Sequence, residues 1–291
     1  MAIAEAVWPG LIFAAALGLV VGSFLNVVIH RLPRGESIVQ PRSRCPGCKT
    51  QIAAFDNVPL LSYLWLRGAC RHCGMHISAR YPAVELLTGV CFAALFLAHG
   101  LAAETLLWMA FAGALIAAAG VDFDHGWIPD ELSLGGLAVG LALLPALRAA
   151  GGEPYGLALA QSALGALLGA GALWSVGFAH ARLSVALGRS FPHWPGEGEA
   201  PPRPSSVDYW IWFPGLGFGD VKLIGLVGAF LGPLGTLHTI LLASMLGLPL
   251  GLAIARASRG NMAAPFGFGP AIAAAALIVA VLAPRGSWPP L

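Results

Sequence analysis

The feature that most constrains this chain is a series of apolar runs, each about long enough to cross a bilayer as one helix, separated by polar breaks. A spanning helix needs ~20 predominantly apolar residues. The runs fall at 7–29, 83–99, 101–121, 132–148, 154–178, 219–233, 235–255 and 265–284. In hydrocarbon every backbone N–H and C=O has to be satisfied inside the segment, so such runs fold as helices. Composition agrees: 57% of the 291 residues are hydrophobic and 10% are charged, against ~25% charged in soluble domains. The expected fold is an all-α integral membrane protein of about eight transmembrane helices, with one small polar domain between the first two. No basic n-region precedes the first run, and Glu5 lies at its edge, so that run is expected to be a retained helix rather than a cleavable signal.

Charge placement orients the helices. Residues 30–80 hold eight of the sixteen Lys and Arg residues, with only Glu36 and Asp56 as acids. The positive-inside rule puts this segment in the cytoplasm and the N-terminus outside. With eight spans, fourteen of the sixteen cations then fall inside, leaving Arg148 and Arg285 outside. Both Asp122, at the end of an inward-running span, and Asp220, at the start of an outward-running one, come to the cytoplasmic face. The domains expected are a first transmembrane helix (1–29), a cytoplasmic four-cysteine zinc-binding domain (30–80) and a membrane domain (81–291). The last carries a Pro-, Gly- and Ser-rich loop near 179–218, read as flexible over 190–216.

Cys45-Pro-Gly-Cys48 and Cys70-Arg-His-Cys73 are two Cys-x-x-Cys pairs with 21 residues between them. That spacing suits two knuckles around one tetrahedral zinc. Four thiolates leave no open position for water, so the expected role is structural; a redox pair or an empty site is the alternative. Cys91 lies within a span and reads as a small apolar residue.

The remaining chemistry is carried by acids at the ends of apolar runs. Asp220 follows Gly217-Phe-Gly, and Asp122 opens Asp122-Phe-Asp124-His125-Gly-Trp-Ile-Pro-Asp130. Ionising an acid at a membrane is costly, which makes each a functional candidate. Ninety-eight residues separate Asp122 from Asp220. Brought together, they could share a proton, one activating water while the other polarises a carbonyl. The same residues could equally cap helices or face interfacial water. Asp130 is expected to be the N-cap of the fourth span, and Lys222 to reach the headgroups or steady the charge of Asp220.

In order along the chain, several motifs combine: Gly22-Ser-Phe-Leu-Asn26 through Pro33; the cysteine knuckles; Phe55-Asp-Asn-Val-Pro59 through Leu64; and Arg80-Tyr-Pro82 with Glu85-Leu86. Asp122 to Asp130, Gly217 to Leu223 and Pro265-Phe-Gly267 complete the set. In this combination the chain resembles the type IV prepilin leader peptidases, membrane aspartyl peptidases of type IV pili and type II secretion. The resemblance implies an eight-span protein of the bacterial cytoplasmic (inner) membrane. It would cut the basic leader from prepilins or pseudopilins after a glycine at the cytoplasmic face. It implies Asp122 and Asp220 as the catalytic pair, Cys45, Cys48, Cys70 and Cys73 as zinc ligands, and methylation of the new N-terminus with S-adenosylmethionine. Phe213-Pro-Gly-Leu216 stands where the family commonly has an acid nearby, and the preceding loop is longer.

Two other classes fit parts of the pattern: a metal-dependent membrane transferase using Asp122 and Asp124, and a transporter with a carboxylate relay. Partners expected are prepilins or pseudopilins and membrane lipid, with no nucleic acid. No motif names the methyl-donor ligands, the particular pilins cleaved or the oligomeric state.

Overall fold

The structure is a computed structural model and describes residues 2–189, 191, 194–195, 200–257 and 267–282. Nine α-helices appear among these residues: α1 (Ala2–Arg31), α2 (Leu61–Trp65), α3 (Arg80–His99), α4 (Ala103–His125), α5 (Asp130–Ala150), α6 (Tyr155–Ala186), α7 (Asp208–Ile211), α8 (Phe218–Ala257) and α9 (Gly269–Leu282). Glycine and proline place their ends. Left-handed glycines follow α4 at Gly126 and α6 at Gly188, while Pro129 and Pro154 immediately precede α5 and α6.

Six of the helices are long and apolar enough to cross a membrane, and α9 adds a shorter apolar one. This is a multi-pass membrane protein. Most spans read from the sequence lie where expected. The fifth is longer, because α6 continues eight residues beyond 178 to Ala186. The last is described only as Gly269–Leu282, and residues 265–266 and 283–284 lie outside the described residues.

Helix α8 covers both the sixth and seventh apolar runs, yet it is not one rod. Gly232 has φ 67° and ψ −177°, a conformation that glycine alone adopts readily, and Pro233 follows it. In a straight helix Ile224 and Thr236 would stand ~18 Å apart. Instead a Cβ built on Gly169 of α6 would lie 2.7 Å from Thr236 Cγ2 and 3.0 Å from the Ile224 carbonyl oxygen. Four residues along α6, Gly165 meets Gly228 and Gly232 backbone to backbone. The chain therefore turns back at Gly232, and both arms of a helical hairpin pack on α6.

The chain divides into two compact units. The first comprises Met1–Val121 with the return from Ala280, and the second is Asp122–Val279. In the first, α1 and α3 run antiparallel through small residues: Gly18 packs on Thr88 and Gly89, and Gly22 on Glu85. Asn26 Nδ2 donates to the Tyr81 carbonyl at 3.0 Å in the same register.

In the second unit, the segment expected to be a flexible loop is instead folded where it is described. Trp194 and Phe213 are buried with Ala181 of α6, and Trp174 and Phe178 pack against them. Trp194 Nε1 donates to the Trp212 carbonyl at 3.0 Å, and Trp174 Nε1 to that of Trp210 at 2.8 Å. The aromatic residues supply the apolar area that the proline and glycine content concealed. Glu197 and Glu199 of the same segment lie outside the described residues.

Candidate active site and metal centre

Asp122 and Asp220 come from opposite kinds of helix end. Asp122 lies in the last turn of α4, which stops when Gly126, at φ 70°, returns its N–H to the Asp122 carbonyl at 2.8 Å. Asp220 is the third residue of α8, and its N–H donates to the Gly217 carbonyl at 3.1 Å, closing the first turn. A Cβ on Gly219 would stand 3.2 Å from that of Ile128, so the Gly-Phe-Gly turn packs directly on the chain leaving α4. Both carboxylates are buried, at 4% and 7% exposure, and each lies within electrostatic reach of the other.

The two glycines at the start of α9 complete the site. Gly269 N–H donates to Asp122 Oδ2 at 2.9 Å, which sets this carboxylate at a helix N-terminus, where backbone donors and the helix dipole suit negative charge. Gly267 lies so close that a Cβ there would overlap the Asp122 carboxylate. In the sequence Gly267 stands out only as the end of the Pro265-Phe-Gly267 motif, and Gly269 lies beyond it. The signal was present: Gly267-Phe-Gly269-Pro270 repeats the Gly217-Phe-Gly219 pattern, and the proline marks a helix start.

The neighbouring polar residues do not join the pair. Asp124 and His125 are exposed while Asp122 is buried, as expected for neighbours facing different sides of a helix. Asp130 is the first residue of α5 rather than its N-cap; Pro129 holds that position and offers no side-chain cap. Its carboxylate instead pairs with Lys222, whose ammonium also lies 5.7 Å from the Phe218 ring centre. Lys222 thus bridges the first turns of α5 and α8. Among the described residues, neither Asp122 nor Asp124 belongs to a group of three or more His, Cys, Asp or Glu side chains placed to hold a metal ion.

The four cysteines of the knuckles do converge. Their sulfurs lie within 4.8 Å of one another, with Cys45–Cys73 at 3.7 Å and Cys48–Cys70 at 4.0 Å. A zinc–thiolate bond of ~2.3 Å gives a tetrahedral edge of ~3.8 Å, so the quartet fits a zinc site made of four cysteines. The knuckles are alike in backbone. Lys49 and Cys45 close the first with a 2.9 Å bond, Gly74 and Cys70 the second, and both Lys49 and Gly74 have positive φ. Thr50, through its hydroxyl and its N–H, brings the Cys48 thiol down to about 6, whereas Cys73, despite a backbone hydrogen bond at Met75, is pushed up to about 11 by burial and the neighbouring cysteines.

The segment between the knuckles is tied down at both ends. Arg71 grips Asp56 through contacts of 2.5 to 3.1 Å, holding that carboxylate below its usual range. Glu85 of α3, buried, accepts the Leu60 N–H at 2.8 Å. Leu60 itself has φ 58°. Cys91 lies apart from the quartet, within α3.

Two family models cover the chain. The bacterial peptidase A24 N-terminal domain matches residues 16–99, and the type IV leader peptidase family matches residues 109–252. Among curated proteins, a prepilin leader peptidase/N-methyltransferase of Burkholderia pseudomallei is 32% identical over 91% of this chain and 82% of its own length. One of Myxococcus xanthus is 38% identical over 83% of this chain, which spans 62% of that longer protein. A type 4 prepilin-like proteins leader peptide-processing enzyme of Escherichia coli is 34% identical over 88% of each chain. No solved structure matches. Motifs, buried acids and relatives agree over most of the length: the chain belongs to the type IV leader peptidase family.

Proposed function

We propose that this protein cleaves the leader peptides of type IV prepilins or type II secretion pseudopilins, with Asp122 and Asp220 as its catalytic pair, and methylates the new N-terminus. The observation that carries the peptidase reading is the burial of two carboxylates from distant stretches of chain beside one turn. One carboxylate, ionised, takes a proton from water; the other, protonated, donates to the scissile carbonyl. The Gly269 N–H fixes the Asp122 oxygen it touches, so the attacking water is ordered without a metal in the reaction. Acids at helix ends suit a substrate cut at the membrane surface, whereas a carboxylate relay for transport would place them near the midplane.

In this reading the chain crosses the inner membrane eight times, the two arms of α8 and the shorter α9 included. The N-terminus lies outside, and residues 30–80 and the aspartates lie on the cytoplasmic side. A prepilin, a helix with a basic cytoplasmic leader, presents its glycine at that level, where the helix is easiest to unwind. Zinc at Cys45, Cys48, Cys70 and Cys73 staples residues 30–80, which are too few to fold on a core of their own. S-adenosylmethionine would supply the methyl group. The described residues contain no strand leading into a Gly-rich turn that could cradle its adenosyl moiety, so no step is assigned to it.

Incubation of the purified protein with a prepilin, followed by mass spectrometry of the product, tests both activities. The expected product begins after the leader glycine and gains one methyl group with S-adenosylmethionine. An uncut prepilin, or a cut elsewhere, would contradict the proposal.

A further inference from the structure

In and just before α2, five large apolar side chains of the zinc-binding segment point outward in a region expected to be aqueous. Leu61, Leu64 and Trp65 of α2 are 67%, 71% and 82% exposed, and Phe55 and Val58 just before them are also exposed. Positions 61, 64 and 65 are spaced i, i+3 and i+4, so the three share one helix face. Nothing in the catalytic reading uses them.

Their level along the membrane helices says what covers them. Gly22 of α1 packs against Glu85 of α3, nine residues before α1 ends at Arg31, a distance of ~14 Å along the axis. The Glu85 carboxylate holds the Leu60 N–H, the residue immediately before α2. Pro59 and Asn57 share a cavity of about 430 Å³ with Val20, Phe24 and Val27 of α1. The chain before α2 thus runs alongside the last turns of α1 and the first turns of α3 instead of beyond their ends. An apolar face at that depth meets lipid.

The charge around it selects the lipid. Residues 30–80 carry eight cations against two acids, and one of those acids, Asp56, is held by Arg71. Arg42, on the wall of the same cavity, and Arg67, two residues beyond Trp65, are exposed. We infer that α2 is embedded in the bilayer leaflet on its own side, Leu61, Leu64 and Trp65 among the acyl chains, with Arg42 and Arg67 drawing anionic phospholipid headgroups. Apolar side chains below and cations above are the arrangement of an interfacial helix. A basic prepilin leader is repelled by the same charge. This rests on the reading of the α1–α3 pair as membrane-spanning; naming the leaflet as cytoplasmic rests further on the proposed orientation.

The test uses the full chain in nanodiscs of phosphatidylethanolamine with phosphatidylglycerol, carrying Trp65→benzoylphenylalanine as a photo-crosslinker. The expected adducts are phospholipids, with the ratio of phosphatidylglycerol to phosphatidylethanolamine about fivefold or more above bulk, given ~1 kcal/mol per surface cation. Adding Arg42→Gln and Arg67→Gln should keep the lipid adducts and return their headgroup ratio towards bulk. Should the Trp65 variant fail to fold, Leu64→benzoylphenylalanine probes the same face. Adducts formed only with a second copy or with an added prepilin, or no adduct in folded protein, would overturn the embedding. A bulk headgroup ratio in the wild-type background would overturn the anionic selectivity. The readout needs no peptidase activity, so a failure of the catalytic proposal would leave it unchanged.

Discussion

Gly267→Ala should damage catalysis without touching either aspartate. The expected cost is steric. The added methyl overlaps the Asp122 carboxylate at Oδ2, the same oxygen that accepts the Gly269 N–H. To make room the carboxylate has to turn and give up that bond. A hydrogen bond to a charged group contributes ~1.5–3 kcal/mol, and each 1.36 kcal/mol of lost transition-state stabilisation is tenfold in rate. The expected fall in single-turnover cleavage is therefore about 10- to 150-fold. Gly135→Ala is the matched control: a Cβ there meets nothing within 4 Å, so turnover should stay at the wild-type level. Both variants are assayed at equal amounts of membrane-inserted protein with saturating prepilin. Full turnover by Gly267→Ala would refute the claim that the α9 terminus sets the catalytic carboxylate.

Three further outcomes are expected. Metal analysis of purified protein should give about one zinc per chain, with Cys45→Ser lowering it and exposing residues 30–80 to protease; metal-free protein with four free thiols would remove the zinc assignment. Glu85→Gln, which alters the anchor of Leu60 and leaves the cysteines alone, should lower transfer of a labelled methyl group more than cleavage, and equal loss would point to one shared site. Because Arg71 depresses the Asp56 pKa, the bond stabilises the fold fully above the unfolded aspartate value, ~3.9, and is lost as pH falls through the lower folded value. Hydrogen exchange around residues 53–57 should then separate wild type from Asp56→Asn by a constant margin from pH 8 to about 5; a margin that vanishes between pH 7 and 6 would disprove the pairing.

Much of this molecule is written in local patterns, and those parts are legible. Apolar runs must be helices in a bilayer, so α1 and α3 to α6 follow from length alone. The cysteine quartet follows from two tight turns. What is not legible is whatever depends on the third dimension. The hairpin at Gly232 leaves only a Gly-Pro pair inside a long apolar stretch, although both of its arms read as separate spans. Asp122 and Asp220 look alike in sequence to any two acids at helix ends, and only the packing of Gly219 on Ile128 brings their helix ends together. The aromatic clasp around Trp194 and Phe213 is hidden because proline, glycine and serine dominate the segment's composition, while the apolar area that holds it comes from its aromatic residues. Asp130 falls one residue from its expected place because an acid before an apolar run signals a cap, yet Pro129 already fixes the entry to α5 and Lys222 claims the carboxylate.

The central claim is that Asp122 and Asp220 act as one pair. The direct measurement is single-turnover cleavage of a prepilin by Asp122→Asn, Asp220→Asn, Asp124→Asn and Asp130→Asn, each quantified in the membrane first. Replacing either member of the pair should reduce cleavage by about 10²–10⁴-fold or more, with methylation of a pre-cleaved pilin retained by Asp122→Asn. The exposed Asp124 and the Lys222-paired Asp130 should cost far less. Near-normal turnover by Asp122→Asn or Asp220→Asn would contradict the account.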